Sequence, residues 1–308
     1  EKNEQIVVFG EDVGFYGGRK GVTDGLLRRF GGRRVIDTPI NEELFVAIAI
    51  GLAQAGFRPV AEFAHASFLT LAASDIHRAG FWEAVNHAKF STSIVIRAVS
   101  GGGYEVYGEE LALSPVSAFL NWKGVRMVAP SNAFQAKGLL KSALRSGSPI
   151  IFFEHRMLYK TACPVPSGDY VLPLEKGVVE RAGKDVSILA YGYLTKLALE
   201  AADVLAEEGG LQAEVVDLVS LKPLDKELII SSVKKTKRAL ILDEEPAHGA
   251  GLFSVLYTLI KKDVPEAKIV GLGGEDVPLP FGTIAKQFLP DVRKIVQGVR
   301  VLLPEFHP

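Results

Sequence analysis

The sequence has almost no cysteine, no surplus of charge and no long apolar run, and each shortage excludes a class of protein. The single cysteine, Cys163, excludes an internal disulfide and a thiolate metal cluster, and it suits a reducing, cytoplasmic compartment. A net charge of -1 gives no electrostatic reason to bind nucleic acid or an anionic membrane. No apolar run reaches the roughly 18 residues needed to span a bilayer. The 308 residues, 48% hydrophobic and 23% charged, are enough for about two globular domains.

Motifs for phosphate, metal and nucleophilic chemistry are also missing. No GxGxxG follows a predicted strand, no phosphate loop ends in Lys-Ser/Thr, and no Gly-Asp-Gly is followed at the right distance by Asn. The six histidines are scattered without a pair at metal-ligand spacing, so we expect no metal site on this chain. No GxSxG is present, and Cys163 has no evident histidine partner. If the protein binds a phosphorylated cofactor, another chain must hold the phosphates.

Short apolar segments alternate with helical segments along the whole chain, which predicts an α/β fold. Predicted strands, some with the loop that follows, lie at 6–14, 34–37, 57–68, 93–99, 124–131, 148–155, 185–192, 213–221, 238–245 and 268–274. Predicted helices lie within 15–31 and at 73–90, 132–147, 195–209, 252–262 and 291–303. We predict two open parallel-sheet domains, 1–155 and 178–308, joined by a linker at 156–177 that is rich in Pro and Gly.

One stretch, 37–54, places a carboxyl group at the start of an apolar helix. Glu42 and Glu43 follow a turn with Pro39, and a nearly uninterrupted apolar segment comes after them. Such a helix is normally buried on all sides. Glu42 can be an ordinary first-turn residue, because Asn41 is a good N-cap and acids there favour the helix dipole. It can also be a carboxyl group in an apolar pocket, ready to exchange a proton with a ligand.

Three polar segments fall where open α/β sheets bind ligands, at the carboxyl ends of strands. They are the Glu11-Asp12 loop, the turn at 37–43 and the glycine-rich loop at 101–110. Glu42 therefore lies where chemistry is usually found, as well as on a helix.

Four long stretches resemble the β subunit of the thiamine-diphosphate-dependent 2-oxo acid dehydrogenases of the pyruvate and branched-chain types. They are GEDVGFYGGRKGVTDGLLRRFG, RVIDTPINEELFVAIAIGLAQAGFRPVAEF, VAPSNAFQAKGLLKSALRSGSPIIFFEHRMLYK and AEVVDLVSLKPLDKELIISSVKKTKRALILDEEP. They cover most of the chain in the family's order. The resemblance implies a transketolase-like pyrimidine-binding domain followed by a transketolase C-terminal-like domain. Family members usually have a helix before the first strand, so we expect an N-terminal piece to be missing here.

The resemblance also implies roles for three residues. Glu42 matches the glutamate that hydrogen-bonds N1′ of the cofactor's aminopyrimidine, Ile40 matches an apolar residue that lines this ring, and Phe68 matches the aromatic residue that stacks on it. Through N1′ the glutamate promotes loss of the C2 proton of the thiazolium, which then acts as electron sink when a 2-oxo acid loses CO₂. The family's diphosphate and Mg²⁺ are held by an α subunit, so an α₂β₂ heterotetramer is expected, with a lipoyl-bearing acyltransferase as a further partner.

The chain departs from the family in the loop after the glycine run. Family members carry a sequence close to His-Ser-Gln-Ser-Pro there, whose histidine assists acyl transfer to lipoyl; aligned on Ser114-Pro115, its position falls at Leu111. Glu109, Glu110, His65 or a partner residue could supply this proton transfer. The family's Asp-Leu-Arg is also Asp-Leu-Val at 217–219. Two alternatives stay open: a transketolase-like or acyloin-forming carboligase that does not use lipoyl, and a non-catalytic paralogous subunit.

Overall fold

The structure, a computed structural model, describes residues 3–85, 92–105, 107–247 and 251–305. The strands are β1 Ile6–Gly10, β2 Val35–Asp37, β3 Arg58–Phe63, β4 Val95–Ser100, β5 Arg126–Val128, β6 Ile150–His155, β7 Val178–Arg181, β8 Val186–Ala190, β9 Ala213–Asp217, β10 Ser220–Lys222, β11 Arg238–Pro246 and β12 Lys268–Gly274. The α-helices are α1 Leu26–Phe30, α2 Glu42–Gln54, α3 Ala73–Val85, α4 Glu109–Ala112, α5 Val116–Phe119, α6 Ala133–Arg145, α7 Tyr193–Gly209, α8 Lys226–Thr236, α9 Leu252–Asp263 and α10 Val292–Leu302. Short 3₁₀ helices lie at Arg19–Gly21, Ala66–Thr70, Gly102–Glu105, Arg156–Lys160 and Thr283–Phe288.

The chain divides into two compact units that interleave in sequence. The first consists of Glu1–Ser100, Asn121–Val128 and Ala133–Leu174, and the second of Gly101–Leu120, Ala129–Asn132 and Glu175–Pro308. The α/β fold expected from the alternation of segments is confirmed in both units. The domain boundaries at 155 and 178 stay a prediction.

The sheet of the first unit is parallel, with its strands in the order β5-β6-β4-β3-β1-β2. Next to the edge strand β2, Val8 of β1 lies opposite Val35 of β2 on one side and Val60 of β3 on the other. All six residues of β4 are buried, because parallel strands have helices on both faces. This explains why the strands are continuous apolar runs in the sequence.

Two predicted elements of the first unit are shorter than expected. The helix predicted within 15–31 is reduced to α1, because Gly25 and Gly31 at its two ends both take φ 76°, a left-handed conformation that glycine favours. The strand predicted over 57–68 ends at Phe63 and gives way to a 3₁₀ helix, since a short apolar run does not distinguish a buried strand from a helical turn.

The prediction that α2 is buried on all sides is wrong for this chain by itself. The helix packs against β3 and α3 with Phe45, Val46 and Ala49 buried. Leu44 on the other side is 51% exposed and Ile48 is 42% exposed. An exposed apolar face on a helix marks a surface that a partner can cover.

The second unit has a mixed sheet in the order β12-β11-β8-β9-β7. The sequence analysis missed β7, which pairs antiparallel with β9 at the edge of the sheet, so this sheet is not purely parallel. The strand predicted over 213–221 is divided into β9 and β10. The break falls at Val219, whose φ of 52° no extended strand permits and whose N–H donates to Oδ1 of Asp217 at 3.2 Å.

The segment predicted as a linker is anchored to α6 within the first unit. Asp169 accepts from Lys141 and from Arg145, at 2.8 Å in each case. The ring of Tyr170 stacks on Phe134 at 4.9 Å between centroids, and its hydroxyl donates to the Phe134 carbonyl at 2.8 Å. Gly and Pro content indicated a flexible connection, but it does not reveal these side-chain contacts.

Across the described ranges, no helix has both the length and the apolar character needed to cross a membrane.

Candidate functional site

Glu42 is the first residue of α2, and its N-cap and its burial bear on the two interpretations of its position. The Asn41 side chain accepts from the Leu44 N–H at 3.3 Å, so the predicted N-cap is confirmed. Glu42 itself is only 8% exposed, whereas the adjacent Glu43 is exposed. An ordinary first-turn acid would face water as Glu43 does. Glu42 is therefore a carboxyl group withdrawn from solvent at the edge of a sheet.

The loop after β1 is fixed against the turn that leads to Glu42. The carboxylate of Asp37, the last residue of β2, accepts from the N–H groups of Gly14 at 2.6 Å and Phe15 at 2.9 Å. A Cβ at Gly14 would lie 2.8 Å from Asp37 Oδ2, so only glycine permits this approach. The Thr23 hydroxyl closes the loop by donating to the Val13 carbonyl at 2.7 Å. These contacts give the loop a defined shape beside α2.

The polar loops after β1 and β2 share one electrostatic environment. Burial raises the pKa of Glu11, the charges of Asp12 and Glu42 add to this effect, and Arg19 opposes it. Because β3, β1 and β2 are adjacent and parallel, the segments after their carboxyl ends lie at one edge of the sheet. Two of the three predicted ligand-binding segments thus belong to the same edge. The third, 101–110, belongs to the second unit.

Ile40 and Phe68, the other two predicted site residues, lie in segments that follow the same group of strands. Ile40 precedes α2 and is 70% exposed. Phe68, in the 3₁₀ helix after β3, is half-buried, with its ring edge-to-face on His65 at 5.6 Å between centroids. One shielded carboxyl group and two incompletely covered apolar side chains at a sheet edge match what an aminopyrimidine ring requires. The residues present therefore fit thiamine diphosphate on its pyrimidine side.

A buried charged cluster underneath this edge was missed by sequence reasoning. Arg97 of β4, 4% exposed, binds Glu154 of β6 through two hydrogen bonds of 2.7 and 2.6 Å, and it also binds Glu62 of β3. The Tyr159 hydroxyl donates to Glu154 at 2.6 Å. Although burial favours the neutral forms, the pairing raises the pKa of Arg97 and lowers that of Glu154. The available signal was a charged residue inside each of three apolar strands.

The carboxyl groups considered as replacements for the family histidine lie in the second unit. Leu111, at the position of the family histidine, is half-buried in α4. The Glu109 carboxylate accepts from the Leu279 N–H at 3.0 Å, and the Glu109 backbone N–H donates to the Leu279 carbonyl oxygen at 2.9 Å. A carboxylate fixed in this way stabilises the loop, so Glu109 is a poor candidate for proton transfer; Glu110 is exposed.

A cavity of about 310 Å³ in the second unit is bordered by acidic residues. They include Glu109, Glu244, Glu245, Glu275 and Asp276. Glu245 fixes the neighbouring loop by accepting from Ser117, from the N–H at 2.9 Å and from the hydroxyl at 2.6 Å. Within the described residues no group of three His, Cys, Asp or Glu side chains is placed to hold a metal ion. His87, His248 and His307 lie outside those residues.

Asp243, next to this acidic group, makes the stability of the second unit depend on pH. It is buried on β11, and Tyr191 donates to its Oδ1 at 2.7 Å. Burial raises its pKa from 3.8 to about 7, and the charge of Glu245 adds to the shift. The folded state thus binds the proton more tightly than the unfolded chain. The stabilisation is complete below pH about 3.8 and is lost as the pH rises towards 7.

Between these pH values we expect the free energy of unfolding to lose about 1.4 kcal/mol per pH unit through Asp243. Urea unfolding at a series of pH values measures this slope, and Asp243→Asn should remove it. Asp263→Asn, an exposed change on α9, is the control and should retain the slope. An equal slope in the Asp243 variant and the wild type would contradict the assignment.

Comparison with known proteins identifies the family of this chain. The family models "Transketolase, pyrimidine binding domain" and "Transketolase, C-terminal domain" match residues 1–161 and 175–295. The pyruvate dehydrogenase E1 component subunit beta of Porphyra purpurea is 39% identical, over 97% of this chain and 91% of its own length. The 2-oxoisovalerate dehydrogenase subunit beta of Bacillus subtilis (strain 168) is 38% identical, over 98% of this chain and 94% of its own.

Solved structures show the same fold. A chain described as "Split gene transketolase, inactive beta4 tetramer" is 26% identical with a TM-score of 0.80, covering 99% of this chain and 94% of its own. The transketolase from Leishmania mexicana, at 17% identity and a TM-score of 0.70, covers 99% of this chain and 43% of its own, and shows the fold alone.

The two α/β units and the two matching family models define a protein of the transketolase-like class. Within this class, the chain belongs to the family of β subunits of the 2-oxo acid dehydrogenase E1 components, which are thiamine-diphosphate-dependent enzymes. The resemblance stated from the sequence is thereby confirmed.

Proposed function

We propose that this chain supplies the pyrimidine side of the cofactor site for decarboxylation of a 2-oxo acid, with Glu42 as the proton-donating group. The observation that carries the proposal is the 8% exposure of Glu42 beside an exposed Glu43. When bound, thiamine diphosphate supplies a thiazolium that accepts the electron pair released with CO₂. Glu42 hydrogen-bonds N1′ of the pyrimidine and shares a proton there. Ile40 and Phe68 contact the ring and keep water from this hydrogen bond.

An α subunit completes the site in this proposal, because the chain has no motif for the diphosphate and Mg²⁺. Its docking surface includes the stripe formed by Ile40, Leu44 and Ile48, which are spaced by four residues and exposed by 70%, 51% and 42%. With two copies of each chain the proposed assembly is an α₂β₂ heterotetramer. A cytoplasmic location is part of the proposal, since a single cysteine suits a reducing compartment.

Replacing both Leu44 and Ile48 by glutamine should weaken association with the α subunit by roughly 10-fold or more, since each residue loses apolar burial. Analytical ultracentrifugation of the mixed subunits measures the association. Val301→Gln on α10 removes a 69% exposed apolar residue elsewhere and should leave association unchanged. Equal association of all three proteins would exclude the stripe from the interface.

A second function is favoured by one observation, the leucine at position 111. Without the family histidine, the acyl acceptor can be an aldehyde instead of lipoyl, which would make the assembled enzyme a carboligase. Product analysis with pyruvate and 2-oxoisovalerate, offering a lipoyl domain or acetaldehyde as acceptor, separates the two functions. Acyl-lipoyl as the main product supports the dehydrogenase reaction, and acyloin as the main product supports the carboligase.

A further inference from the structure

A histidine placed between two arginines lies at the same sheet edge as Glu42. Nε2 of His65 is 2.8 Å from a terminal nitrogen of Arg19, and Nδ1 is 3.1 Å from a terminal nitrogen of Arg156. His65 is 3% exposed and Arg156 is 4% exposed. A guanidinium only donates hydrogen bonds, and an imidazolium has no lone pair to accept them. An arginine can therefore donate to His65 only through a ring nitrogen that carries a lone pair.

A neutral imidazole has one accepting nitrogen, so His65 accepts from one arginine at a time. The shorter contact is with Arg19. Arg156 is independently fixed, since its Nε donates to the Ser100 carbonyl at 3.1 Å. The backbone N–H of Arg19 donates to Glu62 Oε1 at 3.1 Å. Arg19 is thus held at its backbone and at its guanidinium although it lies at the surface.

Arg19 borders a cavity of about 220 Å³ that is also lined by Glu11, Asp12, Tyr16 and Lys20. Among the described residues no carboxylate forms an ion pair with the Arg19 guanidinium. Glu11 is near enough to feel its charge. Burial, together with Asp12 and Glu42, nevertheless raises the pKa of Glu11.

We propose that Arg19 binds the carboxylate of the 2-oxo acid, and that His65 is the positioning residue that aims its guanidinium. This inference rests on the proposed function and adds a substrate-binding residue to it. A guanidinium with free N–H groups matches a carboxylate in geometry and charge. The cavity is large enough for a small 2-oxo acid. Arg19 follows β1 and Glu42 follows β2, and because these strands are adjacent and parallel, both residues lie in segments at the same edge of the sheet.

The test uses the assembled complex with its α subunit. Arg19→Gln should raise KM for pyruvate and 2-oxoisovalerate by roughly 10- to 100-fold, the factor for losing one hydrogen bond to a charged group, with a much smaller change in kcat. The matched control Arg28→Gln removes a charge from exposed α1 and should leave KM unchanged. Calorimetry gives a readout without turnover: oxamate should bind the wild type better than its neutral amide oxamide does, and Arg19→Gln should abolish this preference.

The positioning role has its own signature. His65→Gln, which keeps an accepting oxygen, should raise KM less than His65→Phe, and guanidinium chloride should partly rescue Arg19→Ala. Unchanged KM and unchanged oxamate binding in Arg19→Gln would overturn the inference. Weaker cofactor binding with normal oxamate binding would also overturn it, because Arg19 would then bind the cofactor's diphosphate. Failure of the proposed function is recognised separately, because it would remove C2-proton exchange from the wild type, whereas Arg19→Gln should leave that exchange intact.

Discussion

Glu42→Gln is expected to slow exchange of the cofactor's C2 proton by about 10²- to 10⁴-fold in the assembled complex, the usual contribution of a positioned acid or base. Glutamine has nearly the same shape and can still hydrogen-bond N1′, but it cannot share a proton with it. Proton exchange followed by NMR measures the step directly, before any 2-oxo acid is added. Decarboxylation should fall by a similar factor, because C2 would have to lose this proton before it could form a bond to the carbonyl carbon of the 2-oxo acid.

Glu43→Gln is a matched control for this change. It makes the same chemical substitution at the next residue of the same first turn, but Glu43 is exposed. Normal exchange in Glu43→Gln and lost exchange in Glu42→Gln would assign the effect to the shielded carboxyl group. If Glu42→Gln binds the cofactor and exchanges the proton at the wild-type rate, the role assigned to Glu42 is wrong.

The alternation of apolar strands and helices was sufficient to predict the two α/β units, since period and length are local properties of a sequence. It was insufficient for the edge strand β7. This strand is exposed, and its sequence Val-Val-Glu-Arg is not the continuous apolar run that marks the buried strands beside it. The shortened helix α1 shows the same limit. Its length depends on Gly25 and Gly31, which take φ 76°, a conformation that glycine permits but that its presence in a sequence does not dictate.

Glu42 could be singled out from the sequence, because a carboxyl group at the start of an apolar helix is conspicuous in one short stretch. The contact between Arg19 and His65 could not, since 46 residues separate them and neither belongs to a local pattern. Glu62 and Arg97 are separated by 35 residues and meet only because β3 and β4 are neighbours in register, with Glu62 opposite Arg97. The prediction that α2 is buried on all sides fails for a different reason. An apolar sequence indicates that every face of the helix is covered, but it does not indicate whether this chain or a partner chain covers it.

Arg97→Met should lower the free energy of unfolding by about 3 to 5 kcal/mol, the cost of removing one partner from a buried ion pair. The change would leave Glu62 and Glu154 in the protein interior without their shared cation, while methionine retains most of the apolar volume. Chemical denaturation monitored by circular dichroism measures the loss. The wild type gains stability from the lowered pKa of Glu154 only above the pKa that this group has when unfolded, and this part is lost as the pH falls through the folded value. The deficit of the variant should therefore shrink in acid.

A surface arginine in the same unit provides the comparison. Arg145 pairs with Asp169, their side chains are 55% and 44% exposed, and Arg145→Met should cost no more than about 1 kcal/mol. The triple change Arg97→Met, Glu62→Gln and Glu154→Gln tests the physical reason, because it removes the unpaired charges together with the cation and should recover part of the lost stability. A loss in Arg97→Met no larger than that in Arg145→Met would show that the cluster under the Glu42 edge does not stabilise the first unit.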